Sequence, residues 1–519
     1  MYELKHAKYN KMHCTRCGEF TVADLVGFDF SRVFARAIEQ QNDETWKSLV
    51  RLDLKFYYTL RDICQEFNFQ TDQNGPSCLD LTVGGVIKQL EFLMKPVTFK
   101  DIQESDRDTV LYNRLYEIIS SDHGLPDEKI EDIEMLIRNL STYQKDEVIV
   151  SVPVSFIFAK DNIQNEIPVG IKYYINDEEF IDNNRVCPNC GTPFDNQSGL
   201  HHEFIIGLAG LSRVGKTAYI ASLVHRLKQL KDDDFISISV KKDDEDSFYK
   251  FDTEIVSVYE KGQIINKTEV QNEEAIPLVY VSVKINNEDF NFVFVDMPGE
   301  IYDSEDSEGI DFISEKRHVL KSADAIWCCI EPSMIDDKYH NSNMEGIKAK
   351  DSNDQLENLV TTLSNLFVSK IPACVIVTQS DLLKDDYPLL FRPNVNVMEE
   401  YIQEDHTLDL TKTNDYVKKT RKFVKNMINF EATIEDVFEG FSMFAIASYG
   451  FDLSDSHSEK KIRPSMVELP FLWTLANLKC IGISQSKIGK NLFGKEKEIR
   501  ETVVGRQNLY INGGNNEFD

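Results

Sequence analysis

The densest chemistry in the chain lies in Gly210-Leu-Ser212-Arg213-Val214-Gly215-Lys216-Thr217, which spells G-x-x-x-x-G-K-T. That spacing suits a phosphate chain. Two glycines let the backbone wrap an anion, successive amides point inward, and a lysine brings positive charge to the outer phosphates. Ser212, Arg213, Val214 and Gly215 would form the turn, with amides continuing through Lys216, Thr217 and Ala218 at the positive end of a helix. The Thr217 hydroxyl would ligate Mg2+. Arg213 could neutralise phosphate charge in cis or make a surface ion pair. The apolar run "EFIIGLAG" enters this loop as a strand, and "KTAYIASLVHRLKQL" leaves it as an amphipathic helix. This strand–loop–helix context distinguishes a site from a chance match.

A matching acid follows in "LVYVSVKINNEDFNFVFVDMPGE". Two strands, Leu278–Ile285 and Phe290–Val295, are expected, joined by Asn286-Asn287-Glu288-Asp289. The second ends at Asp296, whose carboxylate would hold Mg2+ beside the phosphate loop. Gly299 would bring an amide to the γ-phosphate. Glu300 follows it and either orients the attacking water or is a solvated carboxylate. A hairpin before this Asp, in place of a helical crossover, resembles GTPases of the translation-factor and small-GTPase class. The likeness runs from Phe204 to about Cys480, and within it the chain looks most like bacterial double-GTPases, whose phosphate loop follows a zinc ribbon.

That resemblance implies a doubly wound α/β domain and three more motifs. Thr268, in "EKGQIINKTEV", would close on Mg2+ and the γ-phosphate as a switch threonine. Thr378-Gln379-Ser380-Asp381 would be the base-recognition motif [NT]-K-x-D, with the Asp381 carboxylate accepting two hydrogen bonds that guanine offers and adenine does not. Ala447-Ser448-Tyr449 would be the turn touching guanine O6. Gln379 stands where the class places a lysine whose stem covers the base, and Ala447-Ser448 inverts the usual order. The expected substrate is therefore GTP, hydrolysed slowly with Lys216, Thr268, Gly299 and Glu300 in the catalytic set. A protein partner would read the nucleotide state. The resemblance also implies a place in bacterial multi-gene systems, conflict or defence systems among them. An ATPase driving remodelling and a nucleotide-binding zinc-ribbon scaffold without significant hydrolysis remain as alternatives.

A second constellation is made of thiols. Cys14-Thr-Arg-Cys17-Gly18 and Cys187-Pro-Asn-Cys190-Gly191 are two C-x-x-C-G knuckles. Four such thiolates give the closed tetrahedral shell of a structural Zn2+. The pairs lie much further apart than in a compact zinc ribbon, so a ribbon split by an insertion is expected: residues 1–20 and 181–202, around a mixed α+β interaction domain at 21–180. His13, His201 and His202 are reserve ligands or surface histidines. In the insertion, "DFSRVFARAIEQQ", "ETWKSLVRLDLKFYYTLRDICQEF", "DTVLYNRLYEIISSD" and "PDEKIEDIEMLIRNL" have helical spacing, whereas "DEVIVSVPVSFIFAK" and "EIPVGIKYYI" suggest a hairpin.

Of 519 residues, 42% are hydrophobic and 28% charged, which suits a folded chain of several domains. A formal net charge of −30 repels nucleic-acid phosphates, so nucleic acid is an expected partner only through the ribbon. Self-association is left open. No stretch of about 20 apolar residues spans a membrane and no apolar signal core opens the chain. With ten cysteines used as knuckles and apolar packing, a reducing cytoplasm is expected. "KSADAIWCCIEP" reads as a core strand, "LTKTNDYVKKTRKFVKNMINF" as a basic helix, and "LPFLWTLANL" as the last helix of a nucleotide domain at 203–480. A Lys-rich, partly disordered tail is expected over 481–519.

Overall fold

The computed structural model describes residues 9–14, 20–52, 57–59, 69–70, 77–94, 127–162, 164–196, 198–211, 214–230, 235–238, 247–265, 278–296, 322–339, 371–424, 440–450, 462–490 and 496–503. They divide into two units, Tyr2–His202 and Glu203–Asp519.

The first unit opens with β1 (Lys11–His13), β2 (Phe20–Val22) and β3 (Gly27–Asp29). Helix α1 (Ser31–Glu39) buries Val33, Phe34, Ala37 and Ile38, a stripe at helical spacing. Helix α2 (Glu44–Arg51) is capped by Asp43, whose carboxylate accepts the Thr45 amide at 2.8 Å. The helical reading does not carry on through this stretch. The helix ends at Arg51, and β4 (Tyr57–Thr59) pairs with β3 instead. Aromatic and β-branched residues that suit a strand there outweigh the apolar spacing. The helix expected at 108–122 lies outside the described residues.

Next come β5 (Phe69–Gln70), β6 (Ser77–Thr82), α3 (Val83–Met94) and α4 (Asp127–Leu140). The expected hairpin is present as β7 (Val148–Lys160) and β8 (Glu166–Ile175), followed by β9 (Glu178–Asp182) in a sheet ordered β5-β6-β7-β8-β9. Its register shifts between Ile157 and Phe158, opposite Gly170 and Pro168. Proline cannot donate to the ladder, so a bulge there is the natural accommodation.

The short β10 (Arg185–Val186) pairs with β3, and Met12, Cys14, Cys187, Cys190 and Phe194 share one core with Phe28, Val33, Leu79 and Val152. Among the described residues, Cys14, Cys187 and Cys190 thus share a core with the chain between the knuckles.

In the second unit, β11 (His202–Ala209) leads into α5 (Lys216–Gln229). Then follow β12 (Ile236–Ile238), β13 (Leu278–Ile285), β14 (Glu288–Asp296), β15 (Ala325–Ile330) and β16 (Pro372–Val377). Strand β17 (Thr407–Asp409), α6 (Leu410–Val424), β18 (Gly440–Ala445) and α7 (Leu469–Asn477) complete the sheet region. Seven strands lie in the order β12-β13-β14-β11-β15-β16-β18. Pairs β11–β15, β15–β16 and β16–β18 are parallel, whereas β12–β13 and β13–β14 are antiparallel. The α/β expectation holds for this sheet.

The hairpin is tighter than its sequence reading. Only Asn286 and Asn287 connect it, with φ of 50° and 66°, while Glu288 and Asp289 already pair in the ladder. Asparagine tolerates this left-handed backbone, which a two-residue turn requires. Trp327 of β15 anchors the core: its ring lies 5.1 Å from that of Tyr219 on α5, and its Nε1 donates to Thr474 Oγ1 on α7 at 2.9 Å. Both helices therefore cover the same face of β15.

The stretch after Cys480 is not only a tail. Strands β19 (Gly482–Lys490) and β20 (Glu496–Val503) are antiparallel, and β19 pairs in parallel with β17. In β20 the residues are mostly Glu, Lys and Arg, with Ile499 and Val503 as the apolar ones, so composition hides the strand. Residues 504–519 lie outside the described residues. Among the described residues no helix is long and apolar enough to cross a membrane.

Candidate functional site

The carboxyl ends of β11, β14, β16 and β18 carry the predicted phosphate and base residues, where a parallel sheet offers its binding crevice. Two glycines give the loop after β11 its shape. Gly210 has φ +152°, and a Cβ there would meet the Cys329 carbonyl oxygen at 2.5 Å, so the loop needs glycine to approach β15. Gly215 has φ +88° with open space around it, so its reason is backbone conformation. It precedes the first residue of α5, whose free amides point into the loop.

Lys216 is buried, and its Nζ donates to the carbonyls of Gly210 at 2.8 Å and Leu211 at 3.0 Å. The ammonium is thus stored across the mouth of its own loop. Thr217 Oγ1 donates to the carboxylate of Asp296 at the end of β14. Burial pushes the Asp296 carboxyl above its ordinary range, while the Lys216 charge and the Thr217 hydrogen bond oppose that shift. A buried carboxylate and a hydroxyl in contact, beside a lysine, fit the donor set of a hard divalent cation. Ala218 lies partly buried against the core in the first turn of α5.

The base-recognition segment is tied to the phosphate loop directly. Thr378 Oγ1 donates to the Val214 carbonyl at 2.7 Å, and its other contact is the Ile330 carbonyl at 3.0 Å. Threonine at the first motif position therefore has a structural use: it pins two loops together. Asp381 lies in the first turn of the 3-10 helix Ser380–Leu383. The Ser380 amide donates to the Ile446 carbonyl at 2.8 Å, which joins this helix to the turn at Ala447 and Ser448. Both turn residues are buried, and the Tyr259 hydroxyl donates to the Ser448 carbonyl. Lys216, Thr217, Asp296, Thr378, Gln379, Asp381, Ala447 and Ser448 thus stand on neighbouring loops linked by hydrogen bonds. Ser212, Arg213, Thr268, Gly299 and Glu300 lie outside the described residues.

Sequence reasoning missed Glu331, which follows β15 and accepts Gln379 Nε2 at 3.2 Å. An acid at the end of a parallel strand, one strand from the phosphate loop, was the available signal. Cys328, Cys329 and Cys374 are packing residues as expected, and burial pushes the Cys328 thiol up to about 12.

In the first unit, the sulfurs of Cys14, Cys187 and Cys190 lie within 4.8 Å of one another, all buried, with Cys14 and Cys190 at 3.3 Å. The second knuckle turns tightly: the Gly191 amide donates to the Cys187 carbonyl at 2.9 Å, and Gly191 has φ +70°. Three converging thiols fit a soft or borderline metal ion. Cys17 lies outside the described residues.

No curated protein matches the chain. Among solved structures, a GTP-binding protein from the archaeon Sulfolobus solfataricus, in complex with GDP, aligns at 13% identity over 53% of this chain and 52% of that one, with a TM-score of 0.26. Translation elongation factor SelB from Methanococcus maripaludis, with the GTP analogue GppNHp, aligns at 13% identity over 48% of this chain and 31% of that one, with a TM-score of 0.21. The chain therefore spans about half the length of the first and less of the second. Residues 204–437 match the model of the Double-GTPase 2 family. Over that segment the chain is similar to double-GTPases.

Proposed function

We propose that the chain binds Mg·GTP, hydrolyses it slowly, and presents its nucleotide state to a protein partner in the cytoplasm, within a bacterial multi-gene conflict or defence system. The observation that carries the reading is the contact of Thr217 with Asp296 beside Lys216, inside the segment that matches the double-GTPase family. Thr217 and Asp296 would hold Mg2+, which when bound offsets charge on the β- and γ-phosphates. Lys216 would leave the carbonyls of Gly210 and Leu211 for the phosphate oxygens. Gly215 and the first amides of α5 would hold the β-phosphate. Asp381 would accept two hydrogen bonds from guanine, with Ala447 and Ser448 lining the same end of the pocket. Thr268 and Gly299 would respond to the γ-phosphate, and Glu300 would orient water. Cys14, Cys187 and Cys190, with Cys17, would hold a structural Zn2+.

The test is release of inorganic phosphate from GTP, with and without Mg2+, by the wild type and Thr217→Ala. Mg-dependent release that the substitution removes supports the proposal. Tight GTP binding with no release, even with a partner present, favours a nucleotide-binding scaffold. An ATPase driving remodelling is the alternative reading, and the same assay with ATP separates the two.

A further inference from the structure

Gln379 has an unusual backbone and an unusual neighbour. Its φ is 53° and ψ 37°, left-handed for a residue with a side chain. That conformation costs about 1 kcal/mol or more and persists only where surrounding contacts impose it. The contacts are visible. On one side the Thr378 amide donates to the Ile330 carbonyl at 2.8 Å; on the other the Ser380 amide donates to the Ile446 carbonyl at 2.8 Å. The side chain is held as well, by Gln379 Nε2 to Glu331 Oε2 at 3.2 Å.

Glu331 is itself fixed. Its other carboxylate oxygen accepts the Ser333 hydroxyl at 2.6 Å, and the carboxylate caps the 3-10 helix Pro332–Met334. A free glutamine has several rotamers to lose, and a partner that is already immobile lowers that loss at binding.

We infer that Glu331 is a positioning residue for Gln379, and that the two together form the wall of the purine pocket opposite Asp381's hydrogen-bonding edge. This rests on the GTP site proposed above. The pair takes the place of a single lysine stem. The amide keeps the apolar reach toward the ring face, and the fixed carboxylate supplies the anchoring that lysine would gain from its charge. Because the wall meets a ring face and no base edge, it is blind to the exocyclic amine. It therefore sets how tightly a purine nucleotide binds and leaves the choice among purines to Asp381.

The experiment is a double-mutant cycle on the full chain, reading equilibrium affinity for GTP and for ITP, which lacks the exocyclic amine. Glu331→Ala and Gln379→Ala should each weaken both nucleotides by about three- to tenfold, leaving the GTP:ITP ratio unchanged. The double variant should be no weaker than Gln379→Ala alone. Glu331→Gln, which retains an acceptor for Gln379 Nε2, should recover most of the loss. Additive effects of the two alanine substitutions overturn the inference, as does an unchanged affinity in Glu331→Ala. So does a Glu331→Gln variant as weak as Glu331→Ala. If the wild type binds neither nucleotide, the GTP reading itself fails, and that result is distinct from any outcome of the cycle.

Discussion

Between Gly210 and Thr217 the groups that would face a ligand belong to consecutive residues, whereas Cys14 and Cys190, whose sulfurs lie 3.3 Å apart, are separated by 176 positions. The first shell is largely backbone. Its shape comes from two glycines and the start of a helix, so local sequence specifies most of it. The second is made of side chains that only a folded core brings together: β10 must pair with β3, and Met12 and Phe194 must bury beside Phe28. The first should therefore tolerate loss of one side chain and keep its fold, while the second should lose metal and structure together.

The largest effect expected from this contrast is at the thiols. Cys190→Ser should abolish zinc in metal analysis of the purified chain and lower the melting temperature of the first unit by about 10 °C or more. Full zinc content in that variant would mean the cluster is not a metal shell. On the nucleotide side a comparable loss of stability should require a core change. Trp327→Ala, which removes contacts to both Tyr219 and Thr474, should cost about 3–5 kcal/mol by denaturant unfolding.

Lys216→Ala sharpens the comparison from the other direction. It should leave the unfolding midpoint nearly unchanged and lower GTP hydrolysis by about 10²–10³-fold, read by phosphate release. A variant that unfolds instead would mean Lys216 is chiefly a structural tie to Gly210 and Leu211. The smallest effect is at Thr378→Val, which keeps the shape of the side chain and loses the hydrogen bond to Val214. GTP affinity should fall about fivefold, by titration of a fluorescent analogue.

The same contrast explains what could be read from the chain in advance. Gly210, Gly215, Lys216, Thr217 and Asp296 were legible because their reasons are local: a strand, a loop, a helix start and a strand end. The hairpin leading to Asp296 was visible by alternation, although its turn was read two residues too long, because Glu288 and Asp289 look like loop residues and yet pair. Tyr57–Thr59 was read within a helix, since apolar spacing does not reveal a strand whose partner lies at Gly27–Asp29. Strands β19 and β20 were hidden by lysines that suggested a tail. Glu331 was missed because its use depends on where β15 ends relative to Gln379, a relation between distant segments. Cys14, Cys187 and Cys190 were found by spacing, but their common core with residues 28–152 was not.

The account depends on one carboxylate reading a purine edge. The most direct measurement is the affinity of the wild type and of Asp381→Asn for GTP and ATP, side by side in one calorimetric titration series. The wild type should bind GTP at least about tenfold more tightly than ATP, and the substitution should weaken GTP by about a hundredfold while leaving ATP unchanged. Equal or tighter binding of ATP by the wild type, or undiminished GTP binding by Asp381→Asn, would contradict it.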